Sequence, residues 1–251
     1  MNSTALYPNQ STSSAPFNSV YSVPPGESLS FADRQSIAEN EVAADALETI
    51  DRSLARRLRS CRRGSRCRAR KYCALCGPIQ ADQFGRRFGP KLLKLANSSH
   101  LTLTTRACPV LTRKGLDALK ENFDRLRERK RFKQAVWGGV VNYQIEHRAS
   151  GWLLHLHAIL DQKGALSRSW TKKTWTDLGG GWAVKLQTIT PGTQPVVLIY
   201  GARKPNLALD SNLLRQFHAA TAGFVSIRPW GTLHPLYGVK PRLGGYLGRT
   251  Q

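Results

Sequence analysis

Two histidines separated by one residue are the feature of this sequence with the clearest chemical potential. His155 and His157 lie in the apolar run 151–160, whose length and composition predict a buried β-strand. Because residues i and i+2 of a strand point to the same face, both imidazoles are expected side by side. Two neighbouring neutral imidazoles can begin a divalent-metal site; the alternative is a pair of histidines that only pack on the strand.

A metal bound by two histidines needs further ligands, and the preceding strand can supply one. Residues 137–145 predict a strand that pairs with the histidine strand as a hairpin. Glu146, nine positions before His155, would favour Mg²⁺ or Mn²⁺, because both ions prefer oxygen ligands. Gln144 has the same strand parity and is the alternative ligand. A solvated charge at the end of the strand is the other interpretation of Glu146.

Tyr200 is the candidate nucleophile of the chain. A helix predicted over 195–204 places Tyr200 and Lys204 on one face, with Arg203 adjacent. A cation there can stabilise phosphate charge or favour the phenolate, since the unperturbed pKa of tyrosine is about 10. Tyr237, which also has a lysine nearby, is the main competitor. A tyrosine that simply packs its helix on the sheet is the non-catalytic alternative.

A second metal site is predicted upstream, where four of the five cysteines fall within sixteen positions. The last two form a Cys-x-x-Cys pair, the spacing of a zinc knuckle, and four thiolates make a closed structural Zn²⁺ site. The alternative is four unlinked thiols. Interleaved basic residues predict a surface that contacts DNA phosphates, or else a solvated basic face. The cysteines are Cys61, Cys67, Cys73 and Cys76, and the basic residues are Arg62, Arg63, Arg66, Arg68, Arg70 and Lys71. His100 and His147 are interpreted as structural or surface residues, and Cys108 as an ordinary thiol.

The elements that must position these residues predict an α+β fold. Residues 1–40 are rich in Ser, Asn, Pro and Thr and predict a disordered tail, and 41–90 predict a helix followed by the cysteine-rich segment. Residues 91–251 form the main domain. Strands paired as a meander with interspersed helices predict a central antiparallel sheet with helices on one face. The predicted strands are 100–105, 137–145, 151–160 and 182–189, and the predicted helices of this domain are 111–132, 167–178, 195–204 and 212–222.

Charge narrows the class of partner. The chain of 251 residues carries 38 Lys and Arg against 16 Asp and Glu, a formal net charge of +22. Such a protein attracts polyanions through counterion release, so nucleic acid is the first partner to expect, with a membrane surface as the rival. No apolar segment reaches 18 residues and no secretory signal is visible, which predicts a cytoplasmic protein with reduced cysteines.

The motifs occur in an order that resembles one known family. The strand 101–104, the pair His155 and His157, Tyr200 with a following cation, and the stretch 213–231 resemble the rolling-circle replication initiators. These are plasmid and phage Rep proteins of the His-hydrophobic-His (HUH) endonuclease superfamily, and the resemblance covers about residues 55–235. It implies an HUH-like fold and a metal site on the two histidines that an acidic or amide residue completes. It also implies nicking of one DNA strand through a covalent phosphotyrosine.

The implied partners follow from that chemistry. The substrate would be single-stranded or supercoiled origin DNA, and a host helicase and polymerase are expected because the chain has no Gly-x-x-x-x-Gly-Lys-Ser/Thr loop. A transposase or relaxase would use the same catalytic residues and remains an alternative. A non-catalytic basic zinc-knuckle protein is the alternative from another class. It accounts for the charge and the cysteines but leaves His155, His157 and Tyr200 without a role.

Overall fold

Seven helices and five strands make up the described part of the chain. The structure, a computed structural model, describes residues 30–62, 65–69, 71–181, 183–193 and 210–234. The helices are α1 (Phe31–Leu47), α2 (Arg52–Arg59), α3 (Cys76–Leu92), α4 (Arg113–Glu128), α5 (Lys130–Ala135), α6 (Arg168–Asp177) and α7 (Ser211–Thr221). The strands are β1 (Ser98–Thr104), β2 (Val136–Arg148), β3 (Gly151–Gln162), β4 (Ala183–Thr188) and β5 (Ile227–Gly231).

The five strands form one antiparallel sheet in the order β4-β1-β3-β2-β5. The α+β class and the antiparallel sheet predicted from the sequence are therefore confirmed. The long β2–β3 hairpin turns at Gly151, whose φ of 102° favours glycine. A Cβ at this position would lie 2.5 Å from the carbonyl oxygen of Cys108, so the turn has no room for a side chain.

The main core lies on one face of the sheet. Alternate residues of the two central strands, such as Leu103 and Leu156, point to this face and are fully buried. Helix α4 covers them with a stripe of apolar residues at helical spacing. The buried residues of this stripe are Leu116, Leu119, Phe123 and Leu126.

The opposite face of the sheet is covered only in part. Phe88 and Leu92 of α3 form a second, smaller apolar cluster with Val140, Ile159 and Ile227. Strand parity places this cluster on the face opposite the main core, because Ile159 is offset by an odd number of positions from Leu156. The prediction that all helices lie on one face is thus corrected. The α3 helix packs on the second face, and it leaves a neighbouring part of that face for polar side chains.

The N-terminal helices begin earlier than composition predicts. Ser30 caps α1 by accepting a hydrogen bond from the backbone of Asp33, so residues 31–40 are helical, although their composition places them in a disordered tail. The single helix predicted at the start of residues 41–90 is divided in two. Asp51 caps the second helix, α2, by accepting a hydrogen bond from the backbone N–H of Leu54. Buried residues of α1, α2 and the cysteine-rich segment belong to the same apolar cluster as the sheet. No helix in the described ranges has the length and apolar character needed to cross a bilayer.

Candidate metal centres and the histidine face of the sheet

His155 and His157 lie side by side on the partly covered face of the sheet. In the register of β3 with its neighbours, Thr102 stands opposite His157 and Gln144 stands opposite His155. The two imidazole centroids are 5.0 Å apart and the rings are nearly perpendicular, at 89°. Their shared face follows from strand geometry, because the single residue between them, Leu156, turns into the main core.

His155 lies next to two polar side chains of the neighbouring strand β2. Its Nε2 lies 2.7 Å from Oε1 of Gln144 and 3.5 Å from Oε1 of Glu146. Its Nδ1 is buried and has no hydrogen-bond partner among the described residues. Burial lowers the pKa of His155, while the Glu146 carboxylate opposes this and Arg148 adds to it. Burial therefore favours the neutral form of His155, and its Nδ1 is a buried nitrogen without a partner among the described residues.

Glu146 and Gln144 are the two alternatives for the predicted third metal ligand, and both lie near His155. Glu146 also accepts hydrogen bonds from the Arg148 guanidinium, at 2.6 and 3.0 Å, and it lies two residue pairs along the hairpin from the Gln144–His155 pair. Gln144 stands directly opposite His155 and is bonded to it. The register therefore brings both alternatives from β2 to the same imidazole, with the amide closer than the carboxylate.

His157 is held by two side chains of β1. Its Nδ1 lies 3.0 Å from Nε2 of His100 and 3.2 Å from Oγ1 of Thr102. The His100 and His157 rings stack with centroids 5.1 Å apart and an interplanar angle of 23°. Burial lowers the pKa of His157 to about 3, with His155, His100 and Lys185 contributing in the same direction. His100, interpreted from sequence as structural or surface, is therefore a direct neighbour of the histidine pair.

Lys185 is a second residue that the sequence alone did not single out. It stands opposite Thr102 in the β1–β4 register, and Thr102 stands opposite His157. These residues form a row across the sheet that continues to Asn142 on β2. Lys185 is exposed, so the row begins with an accessible ammonium group beside the histidines. The alternation of His100 and Thr102 along β1 signals this polar face, but strand pairing is needed to add Lys185.

The side chains of this face include groups that can donate to a divalent ion. They combine imidazole nitrogens with a carboxamide and a carboxylate oxygen, and the oxygens are the donors of this set that Mg²⁺ and Mn²⁺ prefer. The unpartnered Nδ1 of His155 is a buried polar atom for which the described residues provide no partner. An ion on this face would be held by His155 and His157 with Gln144 or Glu146. The possible ligand atoms of this histidine face, formed by His155, His157, Gln144 and Glu146, are less compact than those of the four clustered cysteines. In the cysteine cluster, all the ligand atoms lie within 4.8 Å of one another.

The cysteine cluster has the compactness of a closed metal site. All four side chains are buried, and Sγ of Cys76 lies 3.7 Å from the sulfurs of both Cys61 and Cys67. Cys73 completes the group at 3.5 Å from Cys61. Four buried cysteines this close together could hold a metal such as Zn²⁺, which bears out the predicted clustering.

Hydrogen bonds to sulfur surround this cluster. The backbone N–H of Cys76 and the Asn40 amide both donate to Sγ of Cys73, each at 3.3 Å, and the N–H of Ala69 lies 3.4 Å from Sγ of Cys67. Burial alone would raise the pKa of Cys73, but hydrogen bonds from Cys76, from the neighbouring thiols and from Asn40 lower it below its usual value. Burial raises the pKa of Cys61 to about 11. These hydrogen bonds thus favour the thiolate form of Cys73.

The basic residues of the cysteine-rich segment differ in how far their charged groups are available for contacts with DNA phosphates. Lys71 donates from Nζ to the carbonyl oxygens of Thr221, at 2.6 Å, and Phe224, at 2.8 Å. Burial lowers its pKa, and Arg113 adds to the effect. Lys71 is therefore engaged at the C-terminal end of α7, which leaves fewer of its N–H donors for the predicted contact with DNA phosphates.

The arginines of this segment also differ in how much of their charge is used within the protein. Arg62 donates to two backbone carbonyls and lies 3.9 Å from Glu41, so part of its charge is used within the protein. Arg68 is exposed and Arg66 half-buried, and both remain candidates for phosphate contacts. Arg63 and Arg70 lie outside the described residues. The predicted catalytic residues Tyr200, Arg203 and Lys204, and the competing Tyr237, lie outside them as well.

Comparison with known proteins found no match to this chain. No protein-family model matches the chain, and no curated protein or solved structure is significantly similar to it.

Proposed function

We propose that this protein nicks and rejoins one DNA strand at an origin, and so initiates rolling-circle replication of a plasmid or phage. The observation that carries the proposal is the shared face of His155 and His157, which have an amide and a carboxylate beside one ring and Lys185 at the end of the same row. The motif order that resembles replication initiators supports it. The net charge of +22 supports nucleic acid as the substrate.

The roles on the histidine face follow from its donors and charges. His155, His157 and Gln144 or Glu146 would hold Mg²⁺ or Mn²⁺, which when bound withdraws charge from a phosphate oxygen. Lys185 would attract and orient the phosphate from the β4 side, because its ammonium group is exposed in the row that contains His157.

The covalent step belongs to Tyr200 in this proposal. Its phenol oxygen loses a proton and forms a bond to phosphorus, the bond between phosphorus and the 3′ oxygen breaks, and that oxygen takes up a proton. The products are a 5′-phosphotyrosine ester and a free 3′-hydroxyl. Attack by a 3′-hydroxyl on the ester reverses the bond changes and joins the strand. Arg203 or Lys204 would favour the phenolate by its positive charge.

The cysteine cluster has a structural role in this proposal. Cys61, Cys67, Cys73 and Cys76 would hold one Zn²⁺ and so fix the basic segment around Arg66 and Arg68 for contacts with the DNA backbone. A host helicase and polymerase would provide unwinding and synthesis in the cytoplasm. A transposase or relaxase with the same chemistry is the second candidate function. A non-catalytic zinc-containing DNA-binding protein is the third, and the cysteine cluster and the net positive charge favour it.

The test is the covalent intermediate itself. The full chain is incubated with Mn²⁺ and supercoiled or single-stranded DNA that carries the element's own origin, and the product is analysed by mass spectrometry. The wild-type protein and Tyr237→Phe should form a DNA–tyrosine adduct, while Tyr200→Phe should bind DNA and form none. His155→Ala and His157→Ala should abolish nicking with DNA binding retained. An adduct with Tyr200→Phe would misplace the nucleophile, and no adduct or nicking in any protein would favour the non-catalytic binder.

A further inference from the structure

We propose that His100 is a positioning residue that fixes the tautomer of His157, with the proton on Nδ1 of His157 and a lone pair on its Nε2. This inference rests on the proposed function, because the need for a metal-binding lone pair decides which of the two possible tautomers of His157 we assign. The tautomer itself is a property of the protein without metal or DNA. His100 would act through His157 and would not touch the substrate.

The geometry leaves one proton for the contact between the two rings. Nε2 of His100 and Nδ1 of His157 are 3.0 Å apart, a hydrogen-bond distance, and each neutral imidazole has one N–H and one lone pair. Two lone pairs would repel at this distance, and two N–H groups would clash. One ring therefore donates and the other accepts. Whichever ring donates here, the opposite nitrogen of His157 is fixed at the same time.

The chemistry of the face selects between the two arrangements. If His100 donates, the proton of His157 sits on Nε2, and this nitrogen cannot be a metal ligand. If His157 donates from Nδ1, its Nε2 carries the lone pair that a ligand needs. Metal-binding histidines commonly donate their other N–H to a second side chain that orients the ring, and His100 is placed to be that partner.

Two further contacts support an oriented ring. Thr102 stands directly opposite His157 and its Oγ1 lies 3.2 Å from the same Nδ1, so a hydroxyl lone pair can share the proton. The rings of His100 and His157 stack at 23°, which fixes the plane of the imidazole as well as its proton. The contacts of His155 are different, because Gln144 and Glu146 lie beside its Nε2 while its Nδ1 has no hydrogen-bond partner among the described residues. The two histidines of the pair are thus not equivalent.

The experiment reads the tautomer directly by ¹⁵N NMR of histidine-labelled full-length protein at pH 8, without added Mn²⁺. The wild-type protein should show His157 protonated at Nδ1. His100→Phe keeps an aromatic ring but has no acceptor, so the spectrum should change to a mixture of tautomers, with Thr102 as the remaining partner. His100→Gln offers a carbonyl acceptor and should restore the wild-type form. His147→Phe, at an exposed position on the neighbouring strand β2, is the matched control and should change nothing.

Mn²⁺ affinity is the second readout. His100→Phe should weaken Mn²⁺ binding about 10- to 100-fold, and His100→Gln should recover most of it. The inference is overturned if wild-type His157 is protonated at Nε2, or if His100→Phe leaves the tautomer unchanged. Failure of the proposed function would look different. In that case the tautomers would behave as described, while the wild-type protein would neither bind Mn²⁺ on this face nor nick DNA.

Discussion

The side-chain amide of Asn40 donates a hydrogen bond to Sγ of Cys73 at 3.3 Å, although 33 positions separate the two residues. The same amide accepts a hydrogen bond from the backbone of Ala74, at 2.8 Å, and its side chain is almost completely buried. Helix α1 is therefore part of the surroundings of the cysteine cluster. A residue from a stretch with the composition of a tail holds the orientation of a candidate Zn²⁺ ligand.

Removing this amide should weaken metal binding. Asn40→Ala deletes a donor to Cys73 and leaves the Ala74 N–H without its acceptor, so we expect Zn²⁺ affinity to fall about 10- to 100-fold. Competition with a coloured chelator measures the change. Glu39→Ala, at an exposed position of the same helix, is the control and should leave the affinity unaltered. Equal affinities in the wild-type protein and Asn40→Ala would show that the amide only fills space.

Lys71 and Arg68 should respond differently to substitution. Lys71→Met removes the donor to two carbonyl oxygens, and we expect the free energy of unfolding to fall by about 1–3 kcal/mol, with the salt dependence of DNA binding unchanged. Arg68→Gln should leave stability unaltered and reduce the slope of log K against log [salt] by about 1. Urea denaturation and DNA binding at several salt concentrations measure both effects. A reduced slope for Lys71→Met would return Lys71 to the DNA-binding surface.

Lys185 should matter for substrate binding more than for folding. Its ammonium group is exposed, so Lys185→Ala should leave the free energy of unfolding unchanged. Loss of a charge-assisted contact should weaken single-stranded DNA binding and slow nicking by about 10-fold or more. Fluorescence anisotropy and a nicking assay measure these changes. Lys173→Ala on α6 removes another exposed lysine, which lies 3.6 Å from Asp177, and should have little effect. Similar losses for both variants would indicate a non-specific effect of net charge.

The buried histidines should make stability depend on pH. The pKa of His157 in the folded state is about 3, below the unfolded value of about 6.5, and the pKa values of His100 and His155 are lowered too. The unfolded chain then binds more protons at these three histidines, so their contribution leaves the free energy of unfolding unaffected above pH 7 and lowers it as pH decreases from about 6.5 toward 3.

Substitution isolates the contribution of one ring. His157→Asn should reduce the slope of unfolding free energy against pH between 4 and 6 by at most about 1.4 kcal/mol per pH unit. Urea denaturation without added divalent ions measures the slope. The exposed His147, replaced by Asn, is the control and should leave the slope nearly unchanged. An identical slope in the wild-type protein and His157→Asn would mean that the ring can bind a proton without cost in the folded state.

Local patterns predicted the elements with strong periodicity. The spacing of His155 and His157 by two positions within an apolar run predicted their shared face, and the spacing of Leu116, Leu119 and Phe123 located α4. The clustering of cysteines in sequence likewise anticipated their clustering in space. These features depend on residues near one another in the chain, where the geometry of a strand or helix is enough to place them.

Features set by long-range pairing were missed. Strand β5 is five residues long and contains Pro229, so it has little strand signal of its own and is defined by its pairing with β2. His100 joins the histidine pair only because β1 aligns with β3, and Lys185 only because β4 aligns with β1. The register between strands that are distant in sequence depends on both strands, so no single segment of the sequence specifies it. The placement of Tyr200 lies outside the described residues and stays a prediction.

The order of the strands also has a consequence for self-association. The outermost strands of the described sheet are β4 and β5, and an outer strand exposes backbone groups that can pair with another molecule. Pro229 lacks an N–H and so interrupts the row of donors along β5, while β4 is only six residues long and carries the charged Lys185. Short, charged or proline-containing borders discourage edge-to-edge pairing. In the described part of the chain, these borders would therefore disfavour pairing between separate copies of the sheet.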